Sequence, residues 1–166
     1  MPPASSFDIT STIDFQEVDN ALNQARKEVA QRFDFKGHPV EIDLNAAEKT
    51  LTLLADVEMK MNALWEIVQT RLVRRGVPVK NFKVPASEPA AGGQLRRTIS
   101  IQQGIPIEAA REIVKFIKDR KLKKVQAAIQ ADQVRVSSPS RDELQTAIAA
   151  LRDHDFGIAL QFGNYR

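Results

Sequence analysis

Pro85-Ala86-Ser87-Glu88-Pro89-Ala90-Ala91-Gly92-Gly93-Gln94 divides the chain. Two prolines, two glycines and small side chains make it a linker by composition. The same succession of elements lies on either side. Upstream, Phe7, Ile9 and Ile13 alternate with polar residues, Ser11 being the weak member, as in a half-buried strand. Asp14 with Glu17 has the spacing of a capping box. Val18, Leu22, Ala25 and Val29 then mark one face of a helix over about 16–32. Val40, Ile42 and Leu44, a turn over 45–49, and Leu51 with Leu53 predict a hairpin. Asp56 is placed to cap a second helix whose inner side is Met61, Leu64, Ile67, Val68 and Leu72. Arg71, Arg74, Arg75 and Gly76 end it as the helix dipole and a left-handed cap require. Val79 to Val84 reads as a short strand.

Downstream the pattern returns. Leu95, Ile99 and Ile101 predict a strand, and Gly104-Ile105-Pro106 opens a helix with Ala110, Ile113, Val114 and Ile117 inward. Val125, Ala127 and Ile129, a turn at Asp132, and Val134 with Val136 form a second hairpin. Ser140 with Glu143 caps a helix carrying Leu144, Ala147, Ile148 and Leu151, and Ile158, Leu160 and Phe162 end the chain as a strand. Strand-helix-strand-strand-helix-strand therefore occurs twice. This is an α+β fold of two tandem ferredoxin-like domains, each an antiparallel sheet with helices on one face. Halves of this size are near the limit for a lone core, so extensive contact between them is expected.

Composition bounds the function. Apolar and charged fractions of 43% and 27% are those of a soluble globular protein. A formal charge of +3 permits an anionic ligand at a local basic patch without demanding one. No cysteine is present, which excludes disulfides and thiolate chemistry. Met1 to Ser6 shows no signal-peptide pattern, and no apolar run approaches the roughly 20 residues that span a bilayer, so a cytoplasmic protein away from membranes is expected. His38 and His154 each stand without a further ligand at metal spacing, no nucleophile accompanies Asp153-His154-Asp155, and no phosphate-loop motif occurs. An enzyme, a metal site and a bound cofactor are not expected.

The densest recognition chemistry is Arg32-Phe33-Asp34-Phe35-Lys36, followed by Gly37. Rings stack on bases, and an arginine fork pairs with phosphate or guanine. Alternatively, Phe33 continues the helix stripe into the core, Phe35 starts a strand and Asp34 closes the turn. Arg141 sits at a helix start, where free amides favour an anion. Asn164, Tyr165 and Arg166 add an amide, a ring and a guanidinium, candidates for a groove. Lys115, Lys118, Arg120, Lys121, Lys123 and Lys124 offer a surface for nucleic acid, or simply a solvated face.

Several stretches resemble the YajQ family of bacterial proteins: Ser6-Phe7-Asp8-Ile9, Arg32 to Lys36, Gln103-Gly104-Ile105, Ser140 to Gln145, and Gln161 to Arg166. The resemblance implies that the two domains exchange their first strands. Residues 14–84 with strand 95–101 would then form one domain, and 6–13 with 102–166 the other. It also implies nucleotide binding, with cyclic di-GMP the most specific ligand and a transcription factor as a partner. Under that reading the nucleotide-binding residues are Arg32, Phe33, Asp34, Phe35, Lys36, Arg141, Asn164, Tyr165 and Arg166. Three departures stand out: the helix entry Val57-Glu58-Met59-Lys60-Met61 replaces a more typical Phe-Gln-Val-containing segment, Ala131 occupies a place where a turn glycine is common, and Ser137-Ser138-Pro139 lacks a lysine expected before Ser140. An RNA or ribonucleoprotein accessory protein and a ligand-free interaction adaptor are the alternatives.

Overall fold

The computed structural model describes residues 4–122 and 124–166. The reading of Met1 to Pro3 as free of a targeting signal, and Lys123 in the basic run, lie outside those residues. The chain forms two compact units, residues 1–12 with 103–166 and residues 13–102.

In the second of these, helix α1 (Phe15–Gln31) starts at Asp14, whose carboxylate accepts hydrogen bonds from the Gln16 and Glu17 amides at 3.0 and 3.3 Å. Strands β2 (Glu41–Asn45) and β3 (Thr50–Ala55) form the expected hairpin, followed by α2 (Glu58–Arg74). Asp56 does not cap α2. The cap residue is Val57, without a side-chain bond, and the Asp56 carboxylate instead binds His38 Nδ1 at 2.7 Å. Residues 79–84 are less regular than a strand, with a 3-10 turn at Val79–Asn81 and only Phe82–Lys83 extended as β4.

Residues 85–94 fold back within this unit. Glu88–Pro89 form β5, which pairs with Arg96 and Leu95 of β6 (Leu95–Ile101), and Arg96 Nε meets Glu88 at 3.2 Å. The sheet runs β2-β3-β6-β4, so β6, the first strand of the second repeat, is a central strand here. Its Ile99 and Ile101 join Val18, Leu22, Leu51, Leu53, Leu64 and Val68 in the core. Trp65 packs partly buried at its border, 6.5 Å from the Phe82 ring.

The other unit is built around β1 (Ser5–Thr10), the first strand of the chain. It lies between β8 (Gln133–Ser138) and β9 (Gln161–Gly163) in the order β7-β8-β1-β9, with β7 (Gln126–Gln130) at the edge. The first strands of the two repeats are thus exchanged between the sheets. Phe7 and Ile9 are wholly buried against α3 (Ile107–Asp119) and α4 (Arg141–Arg152), each stabilising the core by about 1.5–3 kcal/mol. The strand stops at Thr10, and Ile13, expected on the same strand, is buried in the other unit's core. Pro106 is the cap of α3 rather than a residue of its first turn.

The hairpin from β7 to β8 turns at Ala131-Asp132. Ala131 has φ 54°, a left-handed conformation that costs a side-chain-bearing residue about 1–2 kcal/mol. Gly104, at φ 84°, lies so close to this turn that a Cβ there would sit 2.5 Å from Asp132 Oδ2 and 2.9 Å from its Cβ. Glycine is required at 104 and favoured at 131. We expect Ala131→Gly to raise stability by about 0.5–1 kcal/mol and Gly104→Ala to lower it by more than that. Chemical denaturation of the two variants checks the opposite signs.

Candidate functional site

At the end of α1, Arg32 leaves the helix in extended backbone and Phe33–Phe35 make one 3-10 turn. Helical phase does not carry through this corner, and the two rings part. Phe35 is buried in the core, whereas Phe33 is 85% exposed. The guanidinium of Arg32 holds Asp34 in a fork, Nε to Oδ1 at 3.0 Å and Nη2 to Oδ2 at 2.7 Å. That bond raises the pKa of Arg32 and lowers that of Asp34. Arg32 also lies over the Phe35 ring at 5.4 Å, and Lys36 over Phe33 at 5.9 Å. The planar donor set that would grip a phosphate is therefore committed within the corner. A shallow groove does run past it, lined by Val29, Arg32, Phe33, Lys36, His38 and Val40.

Arg141, Tyr165 and Arg166 come together in the other unit. The register of β1 with β9 pairs Asp8 with Gly163, yet the backbone of Ser6 exchanges hydrogen bonds with Arg166 at 3.0 and 3.2 Å. Three residues of the C-terminal segment thus span two of β1, which is a bulge, and Asn164 at φ 55° absorbs it. The bulge sends the Asn164 amide to Asp8 and brings the Tyr165 ring to 6.3 Å from Phe7.

Tyr165 and Arg166 then face the start of α4 across a cleft of about 340 Å³, floored by Phe7, Leu144 and Ile148. This is at the small end of ligand sites. Ser140 caps α4 by accepting the Glu143 amide at 3.3 Å, which leaves earlier amides of the first turn without that cap. Arg141, the first helical residue, lines the cleft and its Nε reaches Ser5 Oγ at 3.3 Å. Tyr165 remains 59% exposed. Two guanidiniums, a helix start, a ring and the Ser5 hydroxyl are groups able to hold a phosphate next to a flat group.

Behind the cleft lies a group that sequence reasoning missed as a site. Asp8 is buried on β1 and accepts from Arg135 Nε at 2.8 Å and Nη2 at 3.3 Å, as well as from Asn164. The Arg135 hydrogen bond, with help from Asn164, holds its carboxyl below the usual range. A charge on a strand between two core residues was the available signal.

The basic run gives less. Arg120 covers the Phe116 ring at 4.5 Å, and His154 and Phe156 pack against that ring at 4.8 and 5.4 Å, so Phe116 offers no open face for a base. Among the described residues, no group of three or more His, Asp or Glu is placed to hold a metal ion. No described helix is long and apolar enough to cross a membrane.

Two ferredoxin-like units with exchanged first strands, one bearing a cleft lined by two arginines and an exposed tyrosine, define a small α+β protein of the tandem ferredoxin-like class. The model of the YajQ-like nucleotide-binding proteins matches residues 5–166, and the chain belongs to that family. A relative from Solibacter usitatus is 49% identical over 164 residues, covering 99% of this chain and 98% of its own. One from Acidithiobacillus ferrooxidans is 47% identical over 161 residues, covering 97% and 98%. One from Carboxydothermus hydrogenoformans is 46% identical over 161 residues, covering 97% of each. All three bear the name nucleotide-binding protein.

The Asp8 carboxylate, with its lowered pKa, stabilises the fold fully above the unfolded value near pH 4 and loses that contribution as pH falls through the folded value. Asp8→Asn is expected to cost about 1–3 kcal/mol at pH 7. The gap from the parent should narrow as pH falls below the unfolded value and through the lower folded one. Thermal melts from pH 7 to pH 2 measure both.

Proposed function

We propose that this chain binds a nucleotide in the cleft between the start of α4 and the C-terminal segment, and acts on a partner rather than on the nucleotide. The observation that carries this reading is the convergence of Arg141, Arg166 and the exposed Tyr165 on one cleft at a helix start. The phosphate sits against the first amides of α4 and the Arg141 guanidinium, and the base stacks on Tyr165. The groups lining the cleft recognise shape and charge, which suits an effector that binds without turnover. Family membership supports a nucleotide as the ligand. Among nucleotides, cyclic di-GMP is the first candidate, because its guanines suit an arginine fork and the family resemblance implies it. A transcription factor is the partner class implied in the same way.

The Arg32 to Lys36 corner has an architectural role in this reading, since Asp34 already occupies the Arg32 fork. A nucleic-acid partner would rest on charge alone at the 115–124 surface.

Calorimetric titration with cyclic di-GMP, GTP and GMP tests the proposal. Arg141→Ala or Arg166→Ala should weaken binding at least about tenfold. Tyr165→Ala should cost about 1–3 kcal/mol, or roughly 5- to 150-fold. Arg32→Ala should leave affinity unchanged. Absence of heat with all three nucleotides, or loss of binding in Arg32→Ala alone, overturns the assignment.

A further inference from the structure

We propose that the free edge of β7 is a docking site for an extended, acidic segment of a partner protein, which joins the sheet as a further strand. This goes beyond nucleotide binding and does not depend on it.

β7 ends the sheet, and Gln126, Ala128, Ile129 and Gln130 are exposed. Gln130 pairs with Gln133 across a two-residue turn, so that pair closes the hairpin and alternate residues bond to β8. The N–H and C=O groups of Ala127 and Ile129 consequently point outward along the edge. Protein edges are ordinarily blunted by charge, proline or a covering group. The edge of the other sheet shows such a device: Arg26 donates from Nε and Nη2 to the Ile42 carbonyl of β2 at 3.2 and 2.7 Å. β7 carries neither charge nor proline.

The chemistry of the occupant follows from the helix above the edge. α3 packs on β7 and β8, and its Phe116 points to His154 and Phe156, which follow α4. At 100° per residue the opposite flank, on the β7 side, carries Ile107, Arg111, Val114 and Lys118. Ile107 is 45% exposed and Ile129 is 37% exposed. Arg111 and Lys118 are exposed, and Lys121 and Lys124 stand at the entry to β7. A strand laid along β7 would place apolar side chains against Ile107, Val114 and Ile129 and carboxylates against Arg111 and Lys118. A second copy of this chain would instead bring two basic flanks together. Strand addition supplies affinity through main-chain bonds and specificity through alternate side chains.

The probe is a fluorescein-labelled peptide, Glu-Thr-Val-Thr-Val-Thr-Glu, compared with the same peptide carrying Lys at both ends. Anisotropy should show the acidic peptide binding at least about tenfold more tightly. The paired substitutions Arg111→Glu and Lys118→Glu should reverse that preference. Ala127→Pro should abolish binding by removing an outward donor, and bound peptide should slow amide exchange at Ala127 and Ile129 in the intact protein. Equal affinity for the two peptides overturns the proposal, as does no binding at about 1 mM or indifference to the charge reversal. Dimerisation lost in Ala127→Pro would assign the edge to a second copy instead. Binding of single-stranded RNA lost on charge reversal, with no peptide binding, would assign the surface to nucleic acid. Both outcomes overturn it.

Discussion

The pairing of β1 between β8 and β9 is the constraint on which the C-terminal unit depends. Without β1, two neighbouring strands would each expose an unpaired row of amides and carbonyls, and the core would lose Phe7 and Ile9. The strand that supplies this is separated from its partners by the whole of the other unit. β6 does the corresponding work between β3 and β4, burying Ile99 and Ile101. Each sheet is therefore completed by a strand from the other repeat.

The same pairing builds the candidate site. Once β1 and β9 are in register, the bulge at Asn164 follows from the one-residue mismatch between the Asp8–Gly163 and Ser6–Arg166 pairs. It directs an amide to the buried Asp8 carboxylate on one side and the Tyr165 ring to the cleft on the other. Asp8, Arg135 and Asn164 consequently brace the segment that presents Tyr165 and Arg166. The cleft owes one of its two guanidiniums to α4, because a helix capped by Ser140 places its next residue, Arg141, in the lining. The Arg32 to Lys36 corner follows opposite logic. Arg32 and Asp34 pair with one another there, which leaves a turn with one exposed ring.

Much of the fold was legible because periodicity is local. Val18, Leu22 and Ala25 at helical spacing, and Leu51 with Leu53 at alternate positions, are buried where those rhythms place them. The capping roles of Asp14 and Ser140 were legible for the same reason, since a cap acts over three residues. Asp56 shows the limit: its position before a helix suited a cap, but His38, distant in sequence, competes for the carboxylate. Phe33 and Phe35 could not be separated by spacing, because a single 3-10 turn breaks the helical phase between them.

By itself, the sequence determined the repeated order of helices and strands, the caps, and the presence of basic and aromatic groups at Arg32 to Lys36, Arg141 and Tyr165 to Arg166. Which of those groups meet was decided only in three dimensions. Arg141, Tyr165 and Arg166 share a cleft because β1 holds the C-terminal segment beside α4, while Arg32 is occupied by its own neighbour. Short-range rhythm is written in each segment. Strand register and the choice of ion-pair partner depend on groups that chain folding alone brings within a few ångströms.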